Sequence, residues 1–238
     1  EQLDAFARES RILSKLNHLG IARFFGLCTA LPDLHIILEY VPGTSFHELC
    51  HENKSEALDL QDLKGLSLQL SEVMSYVHRQ NIIHRDLKPT NILVSSTGMV
   101  KLIDFGLAHR GDPSKIPKAN VLAGTPVYLP PEVLKEAFVS SSLDVYSFGI
   151  ILWEMMTRRL PFDGLDLKSM IYEVTRNDLR PQFPSTADPQ LVDIASKCWE
   201  SDASLRPNFE EISLWLQEAG APAVPLAQKA QFETIQAM

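Results

Sequence analysis

The stretch His84-Arg85-Asp86-Leu87-Lys88-Pro89-Thr90-Asn91 decides how this chain is read. Thirteen residues after Asn91 comes Asp104-Phe105-Gly106, and farther on Gly124-Thr125-Pro126-Val127-Tyr128-Leu129-Pro130-Pro131-Glu132. Just upstream, Leu63, Leu66, Leu70, Val73, Met74 and Val77 recur at helical spacing and predict a long helix over 60–79. Two β-like segments, Asn91–Val94 and Val100–Ile103, flank a Ser-Ser-Thr-Gly turn. Residues 106–131 lack apolar periodicity and read as one long loop, which inside a packed domain usually carries function. Residues 142–157 are apolar almost all round, the pattern of a helix through a core, and helical patterns recur at 167–176, 189–199 and 207–218. Toward the amino terminus, Leu3, Phe6, Leu13 and Leu16 share one face of a helix over 2–17. Apolar runs at 21–28 and 34–40 then read as paired strands joined at Pro32-Asp33, before Pro42-Gly43 breaks regular structure. Residues 220–238, rich in Ala, Gln and Pro, read as a loose tail, and no internal repeat is present.

Taken singly, each charge in these strings reads as a solvated side chain. The set, in this order and spacing, resembles the catalytic and metal-binding loops of protein kinases, and the resemblance extends over residues 1–218. It implies an α+β, two-lobed protein-kinase fold. Residues 1–37 would be the remnant of the amino-terminal lobe (one helix and two strands), 38–46 the hinge, 47–219 the helical carboxyl-terminal lobe and 220–238 a flexible tail. It also implies transfer of the γ-phosphate of ATP to a protein hydroxyl. In such transfer negative charge spreads over the phosphoryl oxygens, so catalysis is mostly positioning and neutralisation. By the same resemblance Asp86 is the base that orients the substrate hydroxyl, and Lys88 contacts the γ-phosphate. Asn91 and Asp104 hold Mg²⁺, for which an amide and a carboxylate oxygen are suitable hard ligands. Glu9 matches the helix glutamate that pairs with a strand lysine, and Thr125 the threonine beside Asp86 and Lys88.

Backbone groups of Leu38, Glu39, Tyr40 and Val41 would pair with adenine, with Leu38 as gatekeeper and Phe46 and Leu93 as apolar contacts. Leu13, Phe24, His84 and Phe105 match the hydrophobic stack between lobes, a role compatible with plain core packing. Glu132 and Arg206 match a buried ion pair, and Asp144 the aspartate that holds the catalytic-loop backbone. Pro130 stands where relatives carry Ala, which stiffens the segment. Lys88 and Thr125 resemble serine/threonine kinases, whereas Asp144-Val145-Tyr146-Ser147-Phe148-Gly149 and Cys198-Trp199-Glu200 resemble tyrosine kinases. The combination resembles the tyrosine-kinase-like group, whose members mostly phosphorylate Ser and Thr.

Two parts that the resemblance calls for do not occur in these residues. The first lysine, Lys15, follows Glu9, and none of the eleven glycines forms a GxG pair. The chain begins at Glu1 rather than Met, which favours a piece of a longer chain; the other reading is a kinase without its nucleotide clamp that works as a scaffold. On either reading residues 1–238 alone are expected to transfer phosphate weakly and to expose an apolar edge. A small-molecule kinase is disfavoured because 124–132 resembles a peptide-docking segment.

His47-Glu48-Leu49-Cys50-His51 fits HExxH, in which two histidines hold zinc and the glutamate serves as base. A zinc peptidase is therefore the remote alternative, although residues 52–61 give no extended pattern and Lys54 adds no ligand. For regulation, Arg85 resembles the arginine that receives a loop phosphate. Val121 occupies the phosphosite position of relatives, and Ser114 is the only hydroxyl residue (Ser or Thr) between Gly106 and Thr125. Ser114 is thus either a switch, with Lys115, Lys118 and Arg85 as neighbours, or an ordinary loop serine.

Composition fits this frame. The 238 residues are 45% hydrophobic and 22% charged, which excludes a wholly disordered chain and a fibre. A net charge of −8 argues against general nucleic-acid binding. Cys28, Cys50 and Cys198 are far apart and odd in number, favouring free thiols in a reducing compartment. No basic-then-apolar leader is visible, and the apolar run Phe148–Met156 is interrupted by Glu154 and too short to span a bilayer. The expectation is a cytoplasmic protein without direct membrane contact, acting on a protein substrate with ATP and Mg²⁺.

Overall fold

The computed structural model describes residues 2–30, 34–52, 58–116 and 122–222. The expected turn at Pro32-Asp33, Lys54, Lys118, Val121 and the tail from residue 223 onward lie outside the described residues. Eight α-helices are described: α1 (Gln2–Leu13), α2 (Phe46–His51), α3 (Leu60–Arg79), α4 (Pro131–Leu134), α5 (Ser142–Thr157), α6 (Leu167–Arg176), α7 (Pro189–Cys198) and α8 (Phe209–Glu218). Seven short strands accompany them: β1 (Phe24–Cys28), β2 (His35–Leu38), β3 (Gly43–Ser45), β4 (Ile82–Ile83), β5 (Ile92–Ser95), β6 (Val100–Leu102) and β7 (His109–Arg110).

The helical bulk follows from apolar patterning. The side chain of Asp59 caps α3 by accepting from the Asp62 N–H at 2.7 Å, and the six apolar residues of its predicted stripe are all buried. Leu143 through Met155 of α5 are buried without interruption, so this helix is the axis of the core. Helix α7 reaches it closely because Gly149 has no side chain. A Cβ there would lie 2.9 Å from the Cys198 Cβ and 3.0 Å from the Ala195 carbonyl oxygen. α8 packs along α3, where the Ser71 and Ser213 hydroxyls meet at 2.8 Å. The α1 residues Ile12 and Leu13 enter the same core cluster as α3, α5 and α8. Each fully buried aliphatic or aromatic side chain contributes roughly 1.5–3 kcal/mol.

The helix predicted over 2–17 stops at Leu13. Its last turn tightens to bonds between residues three apart, Lys15 N–H to Ile12 O at 3.0 Å and Leu16 N–H to Leu13 O at 3.1 Å. The strand predicted over 21–28 also divides. Ile21 forms a parallel bridge with Leu102, the Leu102 N–H reaching the Gly20 carbonyl at 2.7 Å, so this part joins β6 and only Phe24–Cys28 pairs with β2. β3, β5 and β6 form an antiparallel sheet in which Ser45 faces Leu93 and Ile92 faces Leu102. β4 pairs with β7, so the predicted long loop carries one short strand, and three-residue turns at Pro113–Lys115 and Pro126–Tyr128. Phe25, Leu27 and Ile37 of β1 and β2 are exposed. No helix among the described residues is long and apolar enough to cross a membrane.

Candidate active site

The loop between β4 and β5 is held by one buried carboxylate. Asp144, in the first turn of α5, accepts from the His84 N–H at 2.8 Å, the Arg85 N–H at 2.9 Å and His78 Nε2 of α3 at 2.8 Å. Burial alone would push Asp144 up; the His78 bond, the charges of His78 and His84 and the His84 amide together hold it below the usual carboxylate range. Arg85 (φ 69°) and Asp104 (φ 63°) both sit in the left-handed region, at a cost of order 1–3 kcal/mol each that the surrounding bonds must offset.

Four donor atoms converge on Asp86. Lys88 Nζ lies 2.6 Å from Oδ2, and the Thr125 N–H and hydroxyl reach Oδ1 at 3.1 and 2.8 Å. Asn91 Nδ2 donates to the Asp86 carbonyl at 2.9 Å and to Oδ2 at 3.3 Å. Lys88 also donates to the Thr125 hydroxyl at 3.1 Å, closing a ring of Asp86, Lys88 and Thr125. Thr125 reaches this far because Gly124 lies flush on the loop between β4 and β5: its φ is +130°, and a Cβ would stand 2.8 Å from the Arg85 carbonyl oxygen.

The Asp104 loop is registered on the same frame. The Ile103 N–H donates to the Asn91 carbonyl at 2.9 Å, the Gly106 N–H donates to Asp104 Oδ1 at 3.0 Å, and Phe105 is fully buried. The Glu9 carboxyl of α1 approaches from the other side. Burial raises its pKa, Asp104 raises it further and the Phe105 amide opposes them. Two carboxylates facing one another in this way favour a cation between or beside them. Of the expected stack, Leu13 and Phe105 share one core cluster with Phe24 packed against it, and the His84 and Phe105 rings are 4.9 Å apart.

His84 is held below its ordinary 6.5 by burial, against the pull of Asp144, Asp104 and Asp86. The unfolded chain therefore takes this proton more readily than the folded one. His84 contributes stability that is present above pH 6.5 and lost as pH falls below it, by up to about 1.4 kcal/mol per pH unit. Urea unfolding midpoints are expected to fall between about pH 7 and pH 5, and a His84→Gln variant to lose that part of the slope. An unchanged slope would remove His84 as its source.

Arg85 is buried; burial lowers its pKa against Asp144, and the Arg8 charge adds to the lowering. Ser114 is exposed on the Pro113–Lys115 turn, its N–H bonded to Asp112 Oδ1 at 2.9 Å. Along the expected hinge Leu38 and Val41 are partly buried and Tyr40 is 86% exposed. Glu39 is locked, its carboxylate accepting from Lys101 Nζ at 2.8 and 2.9 Å and from the Arg23 N–H at 3.0 Å. Leu93 is half-buried on β5, whereas Phe46 is fully buried in the core at the start of α2, not on an open wall.

Glu132 and Arg206 form the expected buried pair, doubly bonded at 2.7 and 2.8 Å, with the Arg206 guanidinium 5.1 Å from the Tyr146 ring centre. Glu48 of the HExxH string is committed to capping α2. It accepts from the Ser45 N–H at 2.7 Å, the Ser45 hydroxyl at 3.0 Å and the Thr44 hydroxyl at 2.9 Å, which lower its pKa and leave it poorly placed as a base.

The Lys101–Glu39 pair, the His78–Asp144 bond and the contact of Tyr128 with Glu154 join residues well separated along the chain, and no motif in the sequence pairs them. The one available signal was a charge inside an apolar run, Lys101 between Val100 and Leu102 and Glu154 within Phe148–Met156.

Comparison with known proteins follows the same lines. Residues 1–214 match the family model described as protein kinase domain. The chain is 36% identical over 212 residues to the serine/threonine-protein kinase STY17 of Arabidopsis thaliana, covering 89% of this chain and 37% of that protein. It is 34% identical over 213 residues to the serine/threonine/tyrosine-protein kinase HT1 of Arabidopsis thaliana, covering 90% and 54%. It is 34% identical over 216 residues to the dual specificity protein kinase shkB of Dictyostelium discoideum, covering 89% and 33%. The chain thus spans between a third and just over half of the length of these relatives.

Proposed function

The chain belongs to the protein kinase domain family, in its tyrosine-kinase-like branch, and from that premise we propose that the protein transfers the γ-phosphoryl group of ATP to a serine or threonine hydroxyl of a protein substrate. The observation that carries this reading is the convergence of Lys88, Thr125 and Asn91 on the Asp86 carboxylate. Asp86 accepts a hydrogen bond from the substrate hydroxyl, aims its oxygen at the γ-phosphorus and takes the proton as the new O–P bond forms and ADP leaves. Lys88, its Nζ 2.6 Å from the Asp86 carboxylate, neutralises charge on the phosphoryl oxygens. Thr125 holds both side chains in place.

The residues present fit Mg²⁺. Asn91 uses its amide nitrogen on Asp86, which leaves Oδ1, a hard oxygen donor, outside those bonds, and Asp104 is an exposed carboxylate registered to Asn91 through Ile103. When bound, the ion would shield the phosphate charge. Leu38, Glu39, Tyr40 and Val41 offer backbone groups to the adenine and Leu93 an apolar surface, while the Lys101–Glu39 pair keeps the segment against β6. Glu9 stands where its carboxylate would hold a lysine. No lysine precedes Glu9 within residues 1–238, so these residues alone are proposed to transfer phosphate slowly. The intact set of Asp86, Asn91 and Asp104 argues against a purely scaffolding role, which has no chemical need for all three.

Serine and threonine are favoured over tyrosine by Lys88 bonded to Asp86 and Thr125. The test is phosphoamino-acid analysis after incubating the natural full-length protein with Mg-ATP and a degenerate peptide pool. Phosphoserine and phosphothreonine are expected; phosphotyrosine as the main product would overturn the specificity. Ser114 remains a proposed switch, supported by its exposure and its place in the loop.

A further inference from the structure

We propose that His47, His51 and Glu154 form a binding site for a divalent transition metal, zinc being the closest chemical fit, that shares no residue with the Asp86 centre. The two histidines are four apart on α2 and so lie on one helical face, with ring centres 4.8 Å apart. His51 Nε2 is 2.7 Å from Glu154 Oε1, and one ligand atom from each of the three residues lies within 4.8 Å of the others. Zinc takes imidazole nitrogen and carboxylate oxygen at about 2.0–2.2 Å, so two ligand atoms of a tetrahedral site stand roughly 3.3 Å apart. A small opening of the His51–Glu154 contact and a rotamer change at the half-buried His47 reach that spacing.

The third ligand is unusually well prepared. Glu154 has no exposed surface, and its other oxygen accepts from the Tyr128 hydroxyl at 2.9 Å, the kind of outer hydrogen bond that orients a metal-binding carboxylate. Of the three ligands His51 also lines an open groove of about 920 Å³, bounded in part by Trp153, Arg158 and Phe162, so this ligand is reached from solvent. The principal opposing influence is the Arg158 guanidinium, which donates to the Leu49 and Cys50 carbonyls at 2.9 and 3.1 Å and places positive charge nearby.

The ligand set differs from the HExxH expectation in a way that changes the chemistry. The glutamate inside the string, Glu48, is locked in the helix cap, and the third donor comes from α5, over a hundred residues away. The site therefore clamps instead of hydrolysing. It ties α2 to α5 and, through Tyr128, to the Pro126–Tyr128 turn that follows Thr125. An ion here is expected to stiffen the segment 124–132 without entering the phosphoryl-transfer centre.

The test uses the full-length protein, stripped of metal with a chelator and titrated with zinc chloride by calorimetry and with cobalt chloride by visible absorption. The protein is expected to bind one equivalent of zinc that the His47→Ala variant does not, cobalt to give the strong visible bands of a four-coordinate site, and zinc to raise the unfolding midpoint of the parent but not of that variant. Glu154→Gln is expected to weaken zinc at least about tenfold, as loss of an oriented ligand requires, and His35→Ala, at an exposed position of β2, to change nothing. Equal zinc stoichiometry and affinity in the parent and His47→Ala, or no binding in either, would overturn the proposal. His47 is half-buried and outside the core, so that comparison does not depend on the Glu154 variant folding.

Discussion

Replacing Asp86 by Asn is expected to lower kcat for phosphorylation of a serine or threonine peptide by about 10²–10⁴-fold, the usual contribution of a positioned general base. The KM for ATP is expected to change little, because in the proposed mechanism Asp86 faces the hydroxyl while the nucleotide would meet residues 38–41 and Leu93. The substitution preserves shape and hydrogen bonding toward Thr125, so a fall in kcat is not expected to come with unfolding. It also removes the charge opposite Lys88, which lies 2.6 Å away. Steady-state kinetics of the natural full-length protein, with a thermal melt of each variant, separate these effects. A kcat within a few-fold of the parent would remove Asp86 from the reaction.

The second large effect concerns stability. Arg206→Ala is expected to destabilise the fold by about 3–5 kcal/mol, because it strands the buried Glu132 carboxylate. At about 2–4 °C per kcal/mol for a domain of this size, the midpoint should fall by roughly 6–20 °C. Arg206 also donates to the Glu200 carbonyl at 2.8 Å and the Ser142 carbonyl at 3.2 Å, so its loss releases three elements together: α4, the start of α5 and the turn before α8. Glu132→Gln keeps the shape and should cost less. The pair Glu132→Leu with Arg206→Met should recover much of the loss, since apolar replacement of a whole buried pair is often neutral. Equal midpoints for Arg206→Ala and the parent, by calorimetry, would mean the pair contributes nothing.

Much of the fold was legible where packing and local pattern agree. The helices at 60–79, 142–157 and 167–176 lie where the apolar spacing predicts: the first buries an apolar stripe, the second nearly its whole circumference, and the third Met170 and Val174, four residues apart on one face. The pattern misled where a tertiary partner intervened. Ile21 looks like the start of β1, but Leu102 captures it, a contact between residues 81 positions apart that carries no periodic signature. The end of α1 was overrun for a different reason: Leu16 stays on the apolar face after the backbone has left the α-helix. At the site, the strings around Asp86, Asp104 and Thr125 announced themselves, and the structure brings Asp86, Lys88, Asn91 and Thr125 within hydrogen-bonding distance. The supports did not. His78 reads as one polar residue of a helix, and only the fold shows that it meets Asp144 behind the loop. Lys101 stands out in sequence only as a charge between Val100 and Leu102, nothing there names Glu39 as its partner, and the two become a shielded pair only when β6 lies beside residues 38–41. Phe46, expected beside the nucleotide, starts a short helix, a position equally suited to the core, and its side chain is fully buried there.

The central claim is that this site binds nucleotide through a metal-assisted centre to perform transfer, and does not merely keep the shape of one. The most direct measurement is ATP binding to the full-length protein with and without Mg²⁺, in the parent and in Asp86→Asn and Asp104→Asn. The account predicts that Mg²⁺ tightens ATP binding in the parent and in Asp86→Asn, and that Asp104→Asn loses this enhancement. ATP binding that is absent, or indifferent both to Mg²⁺ and to Asp104, would contradict it.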